Sequence, residues 1–289
     1  MKDAASATAL LVASGVAFHS THPRFRHLVP EEAGDLTRRF VAAAGYRVRS
    51  GASFLDRVLN AVQERVSVPG ITLHYVLRKR AIEELVRAAI ADGYRQLVIL
   101  GAGLDTLGLR LARERAVRTV IEIDHPATQR MKREVARDVS HRIELLPVDF
   151  TRESLSSALG RCTAYRAQEP AVFVAEAVLL YLDEAVVRDV FAQLRSGAEK
   201  TRLLFTFFEP RSRAAINFQN ATRFADLWLE RVGEPARWAI APDSVSEFVE
   251  QQGFTLVHLL RDAEYQRRWV DASVPLPRGE HIAVAERVT

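Results

Sequence analysis

The stretch Leu97-Val-Ile-Leu-Gly-Ala-Gly-Leu-Asp-Thr-Leu-Gly-Leu-Arg110 decides the fold. Leu97 to Leu100 are apolar without alternation, the mark of a short strand buried on both faces. Gly101 and Gly103 then permit a sharp turn and the close approach of a ligand. From Leu104 apolar residues recur at helical spacing. Strand, glycine turn and helix open a nucleotide-binding βαβ unit.

Downstream, strands and helices alternate, as in a parallel sheet. Strands are predicted at Leu97–Leu100, Thr119–Ile123, Ile143–Val148, Ala171–Ala175, Leu203–Phe208, Phe254–Leu260 and Ile282–Glu286. Helices are predicted between them at Thr106–Arg115, Ala127–Val139, Glu153–Leu159 and Glu184–Arg195, with Ser244–Gln252 before the last two strands. A mostly parallel seven-stranded α/β sheet flanked by helices follows.

Residues 1–93 read as helices only: Ala4–Ala17, Glu31–Ala44, Phe54–Val66 with Phe54, Leu55, Val58, Leu59 and Val62 turned inward, and Ile71–Ala91 closed by Gly93. They form an expected N-terminal cap on a core spanning 94–289. A helix at Arg213–Val232 is too long for a simple connection and marks a lid insertion at about 211–241.

The 289 residues, 48% of them hydrophobic, suffice for one large α/β domain. The net charge of +4 invites a nucleic-acid reading, but the cations are scattered among acids and the longest basic run is Arg78-Lys79-Arg80. Nucleic acid is therefore not an expected partner. No stretch approaches the roughly 18 apolar residues of a membrane span. Ala4 to Phe18 has the small-residue pattern of a weak signal peptide, but Asp3 offsets the single Lys2, which favours a packed helix. The lone Cys162 excludes an internal disulfide and suits a reducing, cytoplasmic compartment.

The glycine turn departs from a dinucleotide site. Thr106 stands at the third glycine position, and Asp105 would repel a pyrophosphate there. A cationic, phosphate-free nucleoside suits these acids, which points to S-adenosylmethionine. Asp105 also suits a helix start, where it satisfies free N–H groups. Asp124 ends the second strand 21 residues after Gly103, close to the spacing of an acid that bonds ribose hydroxyls. Glu122, two residues earlier, fits either a ligand contact or a salt bridge. Asp149 with Phe150 follows the third strand, where it could meet an adenine, or lie on a surface loop. Glu176 ends the fourth, facing the crevice where open α/β sheets bind ligands.

Four motifs together carry a family resemblance: Leu100-Gly-Ala-Gly-Leu-Asp105-Thr, Ile121-Glu-Ile-Asp124-His-Pro126, Val148-Asp149-Phe150 and Ala175-Glu176-Ala-Val-Leu-Leu-Tyr181-Leu. They resemble the leucine carboxyl methyltransferase family, in particular its bacterial small-molecule and polyketide O-methyltransferases. Gly233-Glu-Pro235 adds to the likeness. The resemblance implies a Rossmann-like class I methyltransferase fold. It also implies a cofactor held by Gly101 and Gly103 at the methionine part, Asp124 at the ribose, Asp149 and Phe150 at the adenine, and Glu176 near the amino group. An arginine in the helix before the first strand would bind the cofactor carboxylate. Arg78 matches that position best, with Arg80 close by and a solvated helix face as the alternative. Leu107 replaces the family's arginine after the Asp-Thr pair, and Thr8-Ala-Leu-Leu-Val-Ala13 is only a loose counterpart of its first helix.

The expected reaction is methyl transfer to a carboxylate or hydroxyl of a small molecule, a secondary metabolite such as a polyketide. A carboxylate acceptor needs no base, whereas a phenol benefits from one. His125, Tyr181, His19 and His22 are candidate bases, and none has a metal-site spacing with a third ligand. Two alternatives stay open: methylation of a protein C-terminal carboxylate, and non-catalytic nucleoside or dinucleotide binding. The oligomeric state is open too, a homodimer included.

Overall fold

A computed structural model describes residues 6–138, 143–150, 152–198, 200–211 and 215–288. The predicted residues Ala4, Ala5, Val139, Arg213 and Ala214 lie outside this set. Seven strands form one sheet: β1 (Gln96–Leu100), β2 (Thr119–Asp124), β3 (Glu144–Pro147), β4 (Ala171–Ala175), β5 (Lys200–Phe208), β6 (Thr255–Leu260) and β7 (Glu280–Val288), in the order β3-β2-β1-β4-β5-β7-β6. The pairs from β3 to β5 are parallel, but β7 runs antiparallel to both β5 and β6. The sheet is therefore mixed: parallel from β3 to β5, as expected of a mostly parallel sheet, and antiparallel at one edge. The link from β6 to β7 holds only the five-residue helix Asp262–Gln266, and β7 returns as the neighbour of β6.

Alternation along the strands builds two core layers. Leu97, Ile99, Val120, Val172 and Val174 face one way, and Val98, Leu100, Ile121, Phe173 and Phe205 the other. The first layer receives α2 (Glu31–Ala43) through Phe40, α4 (Ile71–Ala91) through Ile82 and Val86, and α5 (Leu107–Leu111). The second receives α7 (Leu155–Arg161), α8 (Glu184–Arg195) and α10 (Val245–Gln251). Phe191 of α8 meets Phe205, Phe248 and Phe254 edge-on at 5.5–5.6 Å. α1 (Ala7–His19) packs between α2 and α4.

Three predicted helices differ. α5 is five residues rather than Thr106–Arg115, because the chain turns at Arg113 and Glu114 instead of continuing the ladder. Within 215–232 the only helix is α9 (Arg223–Arg231), preceded by a bridge between Ile216 and Ala236. α3 (Phe54–Val66) is present but inverted: Asp56 and Asn60 are buried, while Phe54, Leu55, Val58, Leu59 and Val62 are exposed.

One buried ion pair underlies the first layer. Glu122 of β2 and Lys132 of α6 (Pro126–Val135) are paired and fully inaccessible. This settles Glu122 as a structural acid. Gly108 of α5 makes room for it, since a Cβ there would stand 2.4 Å from Glu122 Oε1. Burial pushes the Glu122 carboxyl up to about 7, against the pull of Lys132. Such a group costs stability as pH rises from its ordinary 4.5 to that value, because the unfolded chain ionises first. Lys132→Met leaves Glu122 without its cation. Unfolding in urea should show a loss of about 3–5 kcal/mol near pH 8 and a smaller loss near pH 5, where Glu122 takes up a proton. Equal losses at both pH values would show that this pair does not carry the stability.

Candidate active site

The carboxyl ends of β1, β2 and β4 open onto a cavity of about 310 Å³, roofed by α1 and the middle of α4. Gly101 turns the chain at φ +58°, and a Cβ there would strike Val178 at 2.5 Å, so glycine is required on both counts. Gly103 follows, and its N–H donates to Asp124 Oδ2 at 2.6 Å. The other Asp124 oxygen accepts from His125 N at 2.6 Å. The spacing of 21 residues thus closes into a direct contact between the turn and the end of β2. Among the described residues no cation lies within 4 Å of Asp124. Its charge stays uncompensated at the wall.

The other two acids are neutralised. Asp105 caps α5 by accepting from Thr106 N and Leu107 N, and it pairs with Lys79 at 2.9 Å. Burial works to raise its pKa, but Lys79, Lys132 and these backbone donors hold it well below the usual carboxylate range. Glu176 accepts from Arg78 Nε at 2.9 Å and from Lys79 Nζ at 3.1 Å. Arg78 also donates through Nη1 to both oxygens of Glu280, at 2.9 and 2.8 Å. Glu280 further accepts from His74 Nε2 at 2.6 Å, and His74 Nδ1 accepts from Gln266. Burial keeps His74 neutral. Burial opposes ionisation of Glu280 as well, but Arg78 and His74 hold its carboxyl down to about 2.

A second cavity of about 210 Å³ adjoins the first. Thr8, Val12, Arg78, Ala177 and Tyr181 line both. Its walls are mostly apolar, including Ile71, Phe208, Phe218, Trp228 and Leu229. Among the described residues Arg78 and Glu280 are its only charged lining residues. Ala177, at the junction, has φ +52°, the only positive value of a non-glycine among the described residues. Its N–H is held by Thr206 Oγ1 at 2.9 Å. Glu234 reaches from beyond α9 to the start of α1, where Thr8 N and Ser6 Oγ both donate to it at 3.0 Å.

Of the predicted site residues, Arg78, Gly101, Gly103, Asp105, Asp124, Glu176 and Tyr181 line the larger cavity. Arg78 is buried in ion pairs, not on a solvated face. Asp149 and Phe150 are outside the lining; Phe150 is half exposed, and Asp149 stands 3.9 Å from Arg152. Their loop nevertheless begins at Val148, whose N–H donates to the Asp124 carbonyl. His125 caps α6 through Nδ1 and lines neither cavity. His19 is buried on Thr72 at 3.0 Å, and His22 stacks on Phe25; both face a separate groove. Lys79, His74 and Glu280 escape sequence reasoning. Lys79 was visible only as the centre of a basic run, and Glu280 lies 202 residues from its partner Arg78.

A positively charged, phosphate-free nucleoside fits this donor set. Asp124 offers two carboxylate oxygens beside the glycine turn, where a pyrophosphate would meet repulsion. The sequence profile of the leucine carboxyl methyltransferase family matches residues 9–195. A provisionally named S-adenosyl-L-methionine-dependent methyltransferase of Mycobacteroides abscessus is 30% identical over 223 residues, 74% of this chain and 70% of that protein. A protein of the same provisional name from Streptomyces coelicolor is 32% identical over 127 residues, but the match spans only 44% of its length and 43% of this chain. The crystal structure of a provisionally named methyltransferase from Thermobifida fusca superposes with a TM-score of 0.59 at 15% identity, covering 87% of this chain and 94% of that one, which shows the shared Rossmann-like methyltransferase fold. The chain belongs to the leucine carboxyl methyltransferase family of S-adenosylmethionine-dependent methyltransferases.

Proposed function

We propose that this chain methylates a hydroxyl group of an uncharged, largely apolar small molecule, held in the second cavity. The observation that carries this reading is the charge of that cavity. Among the described residues Arg78 and Glu280 are its only charged lining residues, and they are bonded to each other twice. A carboxylate entering there would lose its water without gaining a free cation, at a cost of several kcal/mol. An aromatic hydroxyl loses little and gains the contacts of Phe218 and Trp228. A phenolic or enolic secondary metabolite, such as an aromatic polyketide, has this character. The cavity is small for a protein C-terminus.

The cofactor supplies a methyl group on a sulfonium. The chain supplies position: the shared wall of Arg78, Ala177 and Tyr181 sets the two cavities against each other, and alignment of this kind accounts for much of the rate in such transfers. Burial pushes the Tyr181 hydroxyl up to about 12, so it keeps its proton at neutral pH and is no base for the acceptor. Glu280, at about 2, is too weak a base for a phenol. Among the described residues no imidazole lines the second cavity. The acceptor therefore ionises by its own acidity.

Two experiments test this. Asp124→Ala should weaken S-adenosylmethionine binding by roughly 1–3 kcal/mol in calorimetry, the cost of lost charge-assisted hydrogen bonds. Unchanged affinity in the folded variant removes Asp124 from the site, and tight binding of NAD(P) in place of the sulfur cofactor refutes the reading altogether. In a series of substituted phenols, the inflection of kcat/KM with pH should move with the acceptor's own pKa. A fixed inflection would assign the base to the protein, and faster turnover of matched aromatic acids would assign the acceptor to carboxylates.

A further inference from the structure

The Gly233-Glu-Pro235 motif takes no part in the chemistry of the transfer, yet it touches both cavities. Gly233 adopts φ +70°, a backbone state glycine enters without strain, and closes α9 by donating from N to Glu230 O at 3.0 Å. The reversal returns Glu234 N to Leu229 O at 3.0 Å. The Glu234 side chain meets the first turn of α1, where Oε2 accepts from Thr8 N and from Ser6 Oγ, both at 3.0 Å. Ser6 Oγ, as the N-cap of α1, accepts in turn from Ala9 N at 3.2 Å.

The two halves of α1 are held differently. The C-terminal half lies directly on α4: a Cβ at Gly15 would stand 3.1 Å from Tyr75 and 3.2 Å from Thr72, and His19 Nε2 bonds Thr72 Oγ1 at 3.0 Å. The N-terminal half spans the cavities. Thr8 and Val12 line both, Ala9 lines the first and Leu11 the second. Ala9 Cβ also closes on the glycine turn, 3.4 Å from where a Cβ of Gly103 would stand. A helix half that spans a cavity has less packing to hold it, so the polar ties at its end set its position. On the far side of the Glu234 tie, Ala225, Trp228 and Leu229 of α9 line the second cavity.

We propose that Glu234 is a positioning residue for methyl transfer: by fixing the first turn of α1 to the end of α9 it holds the shared roof of the two cavities, so that a ligand in either one strengthens binding in the other. The path is short. An acceptor against Trp228 and Leu229 steadies α9, Glu234 passes this to Thr8 and Ser6, and Ser6 caps Ala9, which rests on the glycine turn. Coupling between two binding sites is reciprocal, so the cofactor steadies the acceptor by the same amount. Without the tie both cavities remain, but their common roof is loosened, which lets each ligand leave sooner and relaxes the alignment that the transfer needs. Both partners of Glu234 are donors, so the tie requires an acceptor oxygen at this place and not a charge. The acceptor half of this proposal rests on the hydroxyl reading above; the cofactor half does not.

Stopped-flow release of S-adenosylhomocysteine from the full chain tests the tie without turnover. Glu234→Ala should release it about tenfold faster or more, the effect of two lost hydrogen bonds, and Glu234→Gln should stay within about twofold of the wild type. Hydrogen exchange should show lost protection at Thr8, Ala9 and Leu10 in Glu234→Ala while β1 and β4 keep theirs, a local change that general destabilisation does not give. Should Glu234→Ala fail to fold, Ser6→Ala breaks one of the same bonds from the other side and should speed release by roughly threefold or more. In calorimetry, 2-naphthol as the probe acceptor should tighten S-adenosylhomocysteine binding by about fivefold or more in the wild type and not in Glu234→Ala. Unchanged release in Glu234→Ala, or in Ser6→Ala where it stands in, overturns the proposal. So does a Glu234→Gln variant that releases as fast as Glu234→Ala, and so does equal tightening in both proteins or none in a wild type that binds 2-naphthol. A wild type that binds no 2-naphthol overturns the hydroxyl reading instead, and the release rates then decide the role of Glu234.

Discussion

The Arg78 guanidinium is the constraint on which both cavities rest. It is buried, and a buried charge is tolerated only when it is paired and fully hydrogen-bonded. Glu176 comes from the end of β4 and Glu280 from the start of β7, two strands that flank β5. Arg78 itself belongs to α4. One side chain therefore fixes a 21-residue helix against both sides of the central strand. Removing Arg78 would leave the buried Glu280 without a cation, so the helix and the strand ends hold a single relative position. The series runs on through Lys79 to Asp105 at the glycine turn, and through His74 to Gln266. It carries three carboxylates against two cations, with His74 neutral. Asp124, close by and uncompensated, adds a further negative charge. A sulfonium with an ammonium group meets a favourable field there, and a pyrophosphate does not.

Around that fixed frame the remaining walls come from parts of the chain far apart in sequence. α1 reaches the junction of the two cavities through Thr8 and Val12, and Glu234 holds its first turn by accepting from Thr8 N and the Ser6 hydroxyl. An anionic side chain at a helix N-terminus also opposes the positive end of the helix dipole. The Gly-Glu-Pro motif at 233–235 thus ties the segment after α9 to the first helix, and both border the second cavity. Ala177, held with positive φ between Glu176 and Val178, lies at the same junction. A strained residue persists only where its surroundings over-determine it, and here Thr206 and the packing of Val178 against Gly101 do so.

What could be read from the sequence was what depends on local pattern. β1, β2 and β4 are apolar runs buried on both faces, and such runs have few other uses. The acids Asp105, Asp124, Asp149 and Glu176 stand out because each follows an apolar strand or its turn; Asp105, Asp124 and Glu176 line the cavity and Asp149 does not. The partners of those acids were not legible, because pairing is a property of three-dimensional neighbours: Glu280 meets Arg78 across 202 residues. The direction of β7 was hidden for a related reason, since a strand buried on both faces reads alike in either direction. α3 shows the sharpest limit. Periodicity finds an apolar stripe but not what it faces, and the inward reading of Phe54 to Val62 assumed a chain that buries everything within itself. Asp56 and Asn60, spaced four apart on the other face, were the available sign.

β2 shows how depth along a strand divides one chemistry into two roles. Glu122 and Asp124 are two residues apart and so project from the same face. The step between them is about 7 Å. Glu122 falls under α5 and α6, where Gly108 leaves room for its carboxylate and for nothing larger, and water is excluded. An acid in that place must either take a proton or find a buried cation, and Lys132 is that cation. Asp124 stands one step further on, past the last pair of the β1–β2 ladder, where the glycine turn lifts the chain away and the cavity opens. Backbone N–H groups orient it without cancelling its charge. The same side-chain chemistry is consumed by packing at one position and left available to a ligand at the next, and the end of the sheet decides which.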